Sequence, residues 1–228
     1  PGLTETPAML KGTVAHCMTL QPSLEWQFER APDGYTGTKK ADKELLEAKA
    51  AENITLVKQD IYDDALAITH AIEDHPIASA LLGEYDGTPE WELWSEVSLQ
   101  WNHFAARDVT LKGRIDRLVS TPGHLSLVDL KTTVDLDKWC ARAKWGAPEF
   151  FFQAALYLQA IHEAKPLIDH VGSTTEWHWI VVESVPPYDI KCLKLTHAPH
   201  DCGNHAVAEC VELLRRCRET GEWPGSKA

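Results

Sequence analysis

Three strand-like segments follow one another in the middle of the chain and constrain the fold more than any other feature of the sequence. They are residues 93–101, 110–119 and 124–132. In the first segment Val97, Leu99 and Trp101 alternate with polar residues, which is the two-residue period of a half-buried strand. The turn sequence Ser-Thr-Pro-Gly at 120–123 joins the other two segments. The pattern predicts a sheet that contains these three sequential strands.

Helical and turn patterns flank this region on both sides. The predicted helices are residues 7–20, about 41–52, 60–82, 135–145, 149–163 and 199–219. A loop is predicted at residues 31–43 and a break between elements at 83–90. The two strands of a predicted hairpin are residues 175–184 and 188–195. This order of elements predicts one domain of the α/β (mixed α+β) class over residues 1–228. A helical part is expected at about 7–82, and a sheet core with flanking helices at about 91–220.

Length and composition predict a soluble cytoplasmic protein. The chain has 228 residues, enough for one sizeable core. Its apolar runs are shorter than the roughly 18–20 residues that span a bilayer, and the N-terminal residues lack the pattern of a signal peptide. The numbering starts at Pro1 rather than at a methionine. The sequence therefore leaves open whether this chain is part of a longer protein.

The cysteines are scattered and form no CxxC pair, which is unlike a zinc ribbon or a ferredoxin. They are Cys17, Cys140, Cys192, Cys202, Cys210 and Cys217. We expect buried free thiols. An iron–sulfur site built from the last four is the alternative.

The net charge of −12 argues against a nucleic-acid enzyme, because phosphate binding normally leaves a basic footprint. A metal-dependent nuclease, however, needs clustered carboxylates, and bound divalent ions invert the local field. The charge therefore predicts weak non-specific DNA binding and strong metal dependence rather than excluding the class.

Four charged residues fall on the three predicted strands so that they can converge over one face. Asp129 and Lys131 are two residues apart, so they share a face, with Cα atoms about 7 Å apart. Asp116 lies on the preceding strand and Glu96 on the strand before that. Carboxylates of this kind suit Mg²⁺ or Mn²⁺, and a lysine beside them can orient or deprotonate a water. The alternative is an Asp–Lys ion pair on an exposed strand.

These residues, in their order, resemble the PD-(D/E)xK nuclease superfamily. The matching segments are Glu96, Gly-Arg-Ile-Asp ending at Asp116, Leu-Val-Asp-Leu-Lys-Thr-Thr around Asp129 and Lys131, and Phe-Phe-Gln-Ala-Ala-Leu-Tyr with Gln153 and Tyr157. The closer resemblance is to the RecE-type, lambda-exonuclease-like branch, which is related to the RecB nuclease domain. An early segment with Gly12, His16 and Pro22 and a late one with Gly221, Trp223 and Pro224 also match this branch.

The resemblance implies a restriction-endonuclease-like core, with a central mixed sheet flanked by helices, and a role for each matched residue. Asp116, Asp129, Glu96 and His16 would bind Mg²⁺, for which Mn²⁺ would substitute, and Lys131 would be the catalytic lysine. Gln153, Tyr157 and Thr132 would border the site. Separately, the basic segments suggest DNA contacts. Their residues are Lys39, Lys40, Lys43, Arg142 and Lys144.

By the same resemblance we expect a Mg²⁺-dependent exonuclease that degrades one strand of duplex DNA from the 5′ end. It would leave 3′ overhangs for a single-strand annealing protein in phage-type recombination, and would act as a homo-oligomeric ring in bacterial or phage-infected cytoplasm. The alternatives are a Cas4-like or repair nuclease with an iron–sulfur cluster, a catalytically silent DNA-binding module of the same fold, or an unrelated metal-dependent phosphodiesterase acting on RNA or small molecules.

Overall fold

The structure, a computed structural model, describes residues 6–83, 92–103, 106–144, 148–164 and 174–225. The helices are α1 (Pro7–Leu20), α2 (Lys40–Ala51), α3 (Gln59–Asp74), α4 (Pro76–Leu82), α5 (Leu136–Lys144), α6 (Pro148–Ala164) and α7 (His197–Thr220), with a 3-10 helix at Pro22–Gln27. The strands are β1 (Phe28–Arg30), β2 (Thr55–Val57), β3 (Glu92–His103), β4 (Ala106–Thr121), β5 (His124–Thr133), β6 (Thr174–Glu183) and β7 (Ile190–Lys194).

A mixed five-stranded sheet in the order β3-β4-β5-β6-β7 forms the centre of the fold, and helices flank it. β3 pairs with β4, and β4 with β5, in antiparallel registers. This confirms the predicted mixed α+β class and the three sequential strands. The predicted hairpin is also present, with β6 beside β7 and the backbone N–H of Glu183 donating to the carbonyl of Asp189 at 2.9 Å.

The prediction of one helix over residues 60–82 is wrong, because the chain leaves helical geometry at His75. α3 ends at Asp74 and α4 begins at Pro76, which has no N–H to continue the α3 hydrogen-bond ladder. His75 adopts an extended conformation, and its Nδ1 accepts from the N–H of Ala78 at 3.2 Å, so it caps α4. The predicted break at 83–90 starts at Gly83 and otherwise lies outside the described residues.

The sequence did not indicate the small parallel sheet of β1 and β2. Each strand has three residues, and Phe28 pairs with Thr55 across an intervening helix. Such short strands carry too little alternation to be distinguished from a loop.

The contacts of the chain divide it into two compact units. One contains residues 1–84, 130–136 and 179–192; the other contains residues 85–129, 137–178 and 193–228. Strands β5, β6 and β7 contribute residues to both, and the single-domain expectation stays a prediction.

In the first unit, α1 packs against α3. The side chains of Val14 and Ala15 on α1, and of Ala65, Ile68 and Ile72 on α3, are fully buried. The α3 positions follow the three-to-four-residue spacing of an amphipathic helix, so burial of this stripe holds the pair together.

In the second unit, α6 packs against α7, and α7 also contacts β4. A buried cluster joins them, made of Ala106, Val109, Ala155, Val207 and Val211. Gly203 on α7 permits the close crossing, because a Cβ there would lie 2.3 Å from the carbonyl oxygen of Phe151. Among the described residues, no helix is both long enough and apolar enough to cross a membrane.

Candidate active site

Asp116 and Asp129 lie at the same level of neighbouring strands. The register of the β4–β5 hairpin ends with Arg117 opposite Val128, and the two aspartates are the next residue on each strand. The hairpin turn, in which Gly123 has a φ of 81°, fixes this register. Asp129 is only 1% exposed, and Asp116 is half-buried.

Glu96 joins these aspartates from β3. In the β3–β4 register, the two neighbours of Glu96 along the chain pair with the two neighbours of Asp116. Glu96 and Asp116 lie between these pairs but are not themselves paired in the ladder. Glu96 has a φ of 55°, in the left-handed region that non-glycine residues rarely adopt. One carboxylate oxygen of Glu96 and one of Asp116 lie within 4.8 Å of each other. The irregular backbone thus falls at the residue that completes the acidic group, a common place for stored strain.

Arg114 forms an ion pair with Glu96. The Nε of Arg114 lies 2.6 Å from Oε2 of Glu96, and the carboxylate side chain is 7% exposed whereas that of the arginine is 67% exposed. Oε1 of Glu96 is also shielded from solvent. The sequence pattern gave no sign of this role for Arg114, although the residue stands two positions before Asp116 and therefore on the same strand face.

Helix α6 supplies a partner for Asp129. The side-chain amide of Gln153 donates to Oδ1 of Asp129 at 2.8 Å. One turn later, the hydroxyl of Tyr157 accepts from the backbone N–H of Arg114 at 3.4 Å. Gly113 lets the ring approach, because a Cβ there would lie 2.3 Å from Cε1 of Tyr157. The structure therefore brings the two predicted α6 residues to the strands that carry Asp116 and Asp129.

Lys131 and Thr132 follow Asp129 on β5. Both are half-buried, and Lys131 is in phase with Asp129, so the strand directs both side chains to one face. Thr132 marks a close approach of α1, because a Cβ on Gly12 would lie 3.0 Å from its Oγ1. A glycine at this point of the histidine-containing motif is thus explained by packing.

His16, the remaining predicted ligand, is half-buried on α1. Partly buried polar contacts that the sequence did not indicate fix the position of this helix. The ammonium group of Lys11 contacts Asp64 and donates to the carbonyl of Ser184 at 2.9 Å, and the hydroxyl of Tyr188 donates to Asp64 at 2.8 Å. Burial alone would raise the pKa of Asp64, but the Lys11 and Tyr188 hydrogen bonds outweigh it and lower that pKa. The role of His16 in metal binding stays a prediction.

The basic residues predicted to contact DNA are exposed. Lys39 donates to the carbonyl of Gly34 at 3.1 Å, and Lys40 lies 3.6 Å from Glu44. At the end of α5, Lys144 is exposed and the guanidinium of Arg142 lies 5.6 Å from the ring centroid of Phe150. Lys43 is exposed on α2. Their predicted function is not tested by this geometry.

The cysteines are free thiols, as expected, although only Cys217 is buried and Cys202 and Cys210 are exposed. In the described part of the chain, no group of three close metal-ligating side chains includes a cysteine. The iron–sulfur alternative therefore gains no support. Burial raises the pKa of Cys192 to about 11, so this thiol stays protonated at neutral pH.

The donor set of the site fits a hard divalent cation. Glu96, Asp116 and Asp129 offer carboxylate oxygens, which Mg²⁺ and Mn²⁺ prefer. Three carboxylates on neighbouring strands repel one another, and a divalent cation offsets that repulsion. A cavity of about 1040 Å³ among the described residues is not lined by any of these carboxylates.

The site has one carboxylate on each of three adjacent strands, and a lysine follows the last carboxylate by two residues. This arrangement, on a mixed sheet flanked by helices, defines a protein of the PD-(D/E)xK superfamily. Residues 2–227 match the family described as PDDEXK-like domain of unknown function (DUF3799), and the chain belongs to that family.

Comparison with solved structures supports the fold. The chain resembles the 2.19 Å crystal structure of a putative exonuclease from Eubacterium rectale, with a TM-score of 0.57 and 12% sequence identity. The match covers 98% of this chain and 72% of that one. A comparison with curated proteins found no match.

Proposed function

We propose that this protein is a metal-dependent deoxyribonuclease that hydrolyses phosphodiester bonds in duplex DNA. The observation that carries the proposal is the acidic group of Glu96, Asp116 and Asp129 on adjacent strands, with Lys131 two residues beyond Asp129. Membership of a PDDEXK-like family supports the same class.

In this proposal Glu96, Asp116 and Asp129 would hold Mg²⁺, and His16 would join them on the strength of its sequence motif. The bound ion would polarise the phosphodiester and lower the pKa of a coordinated water. Gln153 fixes the orientation of the Asp129 carboxylate by the hydrogen bond to Oδ1. Since Asp129 is almost fully buried, its carboxylate has little freedom to turn away.

Lys131 orients the attacking water, accepts or relays its proton, and places a positive charge near the phosphate oxygens. A neutral lysine amine can take the proton of the attacking water, and the ammonium group that this forms stabilises the negative charge that develops on the phosphate oxygens. Thr132 and Tyr157 are proposed to line the path of the DNA strand, with Lys39, Lys40, Arg142 and Lys144 as further phosphate contacts.

The finer proposal is a 5′-to-3′ exonuclease that leaves 3′ overhangs for a single-strand annealing protein. It rests on the resemblance to the RecE-type branch, and the solved structure with a similar fold is itself described as a putative exonuclease. We include in it a cytoplasmic location and a homo-oligomeric ring around DNA, which would concentrate the few basic residues of an acidic chain around a channel. Sedimentation that shows only monomers at working concentration would remove the ring.

Digestion of linear duplex DNA, labelled separately at the 5′ and 3′ ends, tests the function together with its polarity. We expect release of mononucleotides from the 5′ end with Mg²⁺, none with EDTA, and no cleavage of closed circular DNA. Cleavage of closed circular DNA would be consistent with a nuclease but would show that the proposal of an exonuclease is wrong. Cleavage of RNA alone would overturn the substrate class.

A further inference from the structure

Arg114 lies between the buried carboxylate of Glu96 and the solvent. Its Nε is 2.6 Å from Oε2 of Glu96, yet its side chain is 67% exposed. The Nε of the guanidinium therefore holds Glu96 while most of the arginine side chain is exposed to solvent. A guanidinium has five N–H donors, so the ion pair leaves most of them available for a ligand.

The strand places this guanidinium at the acidic site. Arg114 and Asp116 are two residues apart on β4 and project to the same face. The backbone N–H of Arg114 donates to the hydroxyl of Tyr157, which ties the residue to α6, where Gln153 holds Asp129. Arg114 thus has a fixed base and an exposed cationic end beside the group proposed to cleave DNA.

We propose that Arg114 binds a phosphate group of the DNA strand at this site through its terminal amino groups, while Nε continues to hold Glu96. The inference rests on the proposed function. A planar guanidinium can pair with a carboxylate along one edge and with two phosphate oxygens at its end, which the ammonium of a lysine cannot reproduce. On a chain with a net charge of −12, one cation fixed at the acidic site matters more than in a protein with a broad basic surface.

Another arginine on the same strand provides a matched control. Arg107 is also 67% exposed and also pairs with a glutamate, Glu163, at 3.4 Å. It lies seven residues from Arg114 on β4, about 24 Å at the usual rise per strand residue. A surface ion pair without a ligand predicts the same small effect at both positions.

The experiment measures binding of an end-labelled duplex by fluorescence anisotropy, in EDTA, between 50 and 200 mM salt. The parent carries Lys131→Ala so that no cleavage occurs. We expect Arg114→Gln to weaken binding about 10-fold or more, as loss of a charged hydrogen bond does. The slope of log affinity against log salt should fall in magnitude by about 0.9, the value for one phosphate contact. Arg114→Lys should keep the slope but not the full affinity, and Arg107→Gln should change neither.

Equal behaviour of Arg114→Gln and Arg107→Gln, with an unchanged salt slope, would overturn the inference and leave the proposed function standing. Absence of duplex binding by the parent at every salt concentration, both in EDTA and with Ca²⁺ in place of Mg²⁺, would overturn both. Circular dichroism and the denaturant midpoint of each variant check folding. Should Arg114→Gln fail to fold, Arg114→Met serves as the second neutral variant and is judged by the same salt slope.

Discussion

The side-chain amide of Gln153 on α6 donates a 2.8 Å hydrogen bond to Oδ1 of Asp129, a carboxylate that is 1% exposed on β5. This bond connects a helix that flanks the sheet with the carboxylate that precedes Lys131. It also defines what Gln153 contributes, which is orientation of the carboxylate rather than charge.

Gln153→Ala should therefore weaken Mn²⁺ binding and Mg²⁺-dependent cleavage by roughly 10- to 100-fold, the usual effect of removing a group that orients a metal ligand. Titration calorimetry with Mn²⁺ gives the affinity. Gln159→Ala is the control on the same helix, since Gln159 bonds to Asn204 instead. Equal metal affinity in both variants would show that the Gln153 bond has no such role.

The left-handed conformation of Glu96 predicts a conflict between stability and function. The free energy of unfolding should be higher for Glu96→Gly than for Glu96→Gln by roughly 0.5–1 kcal/mol. Glycine relieves about 1–2 kcal/mol of backbone strain, and its greater backbone entropy in the unfolded chain offsets part of that gain. Both variants should lose metal binding. Urea denaturation compares the stabilities, and a less stable glycine variant would contradict the strain at φ 55°.

Gly113 should be intolerant of a side chain. Its Cβ would lie 2.3 Å from the ring of Tyr157, so Gly113→Ala should destabilise the protein by about 1–3 kcal/mol, as overpacking does. Adding Tyr157→Ala should remove most of that penalty, which a double-mutant cycle measures as coupling. Gly225→Ala, where a Cβ meets nothing within 4 Å, should have little effect.

His178 should make the protein sensitive to mild acid. Burial lowers the pKa of its imidazole from the ordinary 6.5, and the nearby Glu176 at 3.3 Å only partly compensates. The unfolded chain therefore binds a proton at a pH where the folded chain does not. The free energy of unfolding should fall as the pH drops below about 6.5 and level off below the lowered pKa.

Glu176 adds a second step at lower pH. Its burial would raise the carboxyl pKa, but Lys194, His124 and His178 outweigh this and lower it. The stability that Glu176 contributes is present above its ordinary pKa and is lost as the pH falls through the lowered value. Urea denaturation from pH 7.5 to 2.5 covers both steps and should show a shallower upper step in His178→Gln. The exposed His205, paired with Glu209 at 3.2 Å, is the control, and an equal change in His205→Gln would refute the assignment.

The parts of the site that could be predicted from the sequence depend on local spacing. Asp129 and Lys131 share a face because strands repeat every two residues, and the short turn before them made the pairing of β4 with β5 predictable. The class of fold followed from the order of the elements, and the family resemblance pointed to Gln153 and Tyr157.

The rest depends on contacts between residues far apart in the chain. The left-handed backbone of Glu96 and its ion pair with Arg114 exist only when β3 and β4 are paired. The alternating pattern of a strand predicts extended backbone at every position, so it cannot predict a left-handed residue within the strand. The contact of Lys11 with Asp64 joins α1 to α3 across 53 residues. The helix break at Pro76 was local, but a continuous apolar pattern concealed it.

Cleavage of linear duplex DNA by the wild type and by Lys131→Ala, each with Mg²⁺ and with EDTA, tests the central claim most directly. Lys58→Ala, at an exposed lysine before α3, is the matched control. We predict Mg²⁺-dependent cleavage that falls roughly 10²- to 10⁴-fold in Lys131→Ala, the usual contribution of a proton-transfer group, and that is unchanged in Lys58→Ala. Cleavage that persists in EDTA, or that Lys131→Ala retains in full, would contradict the account.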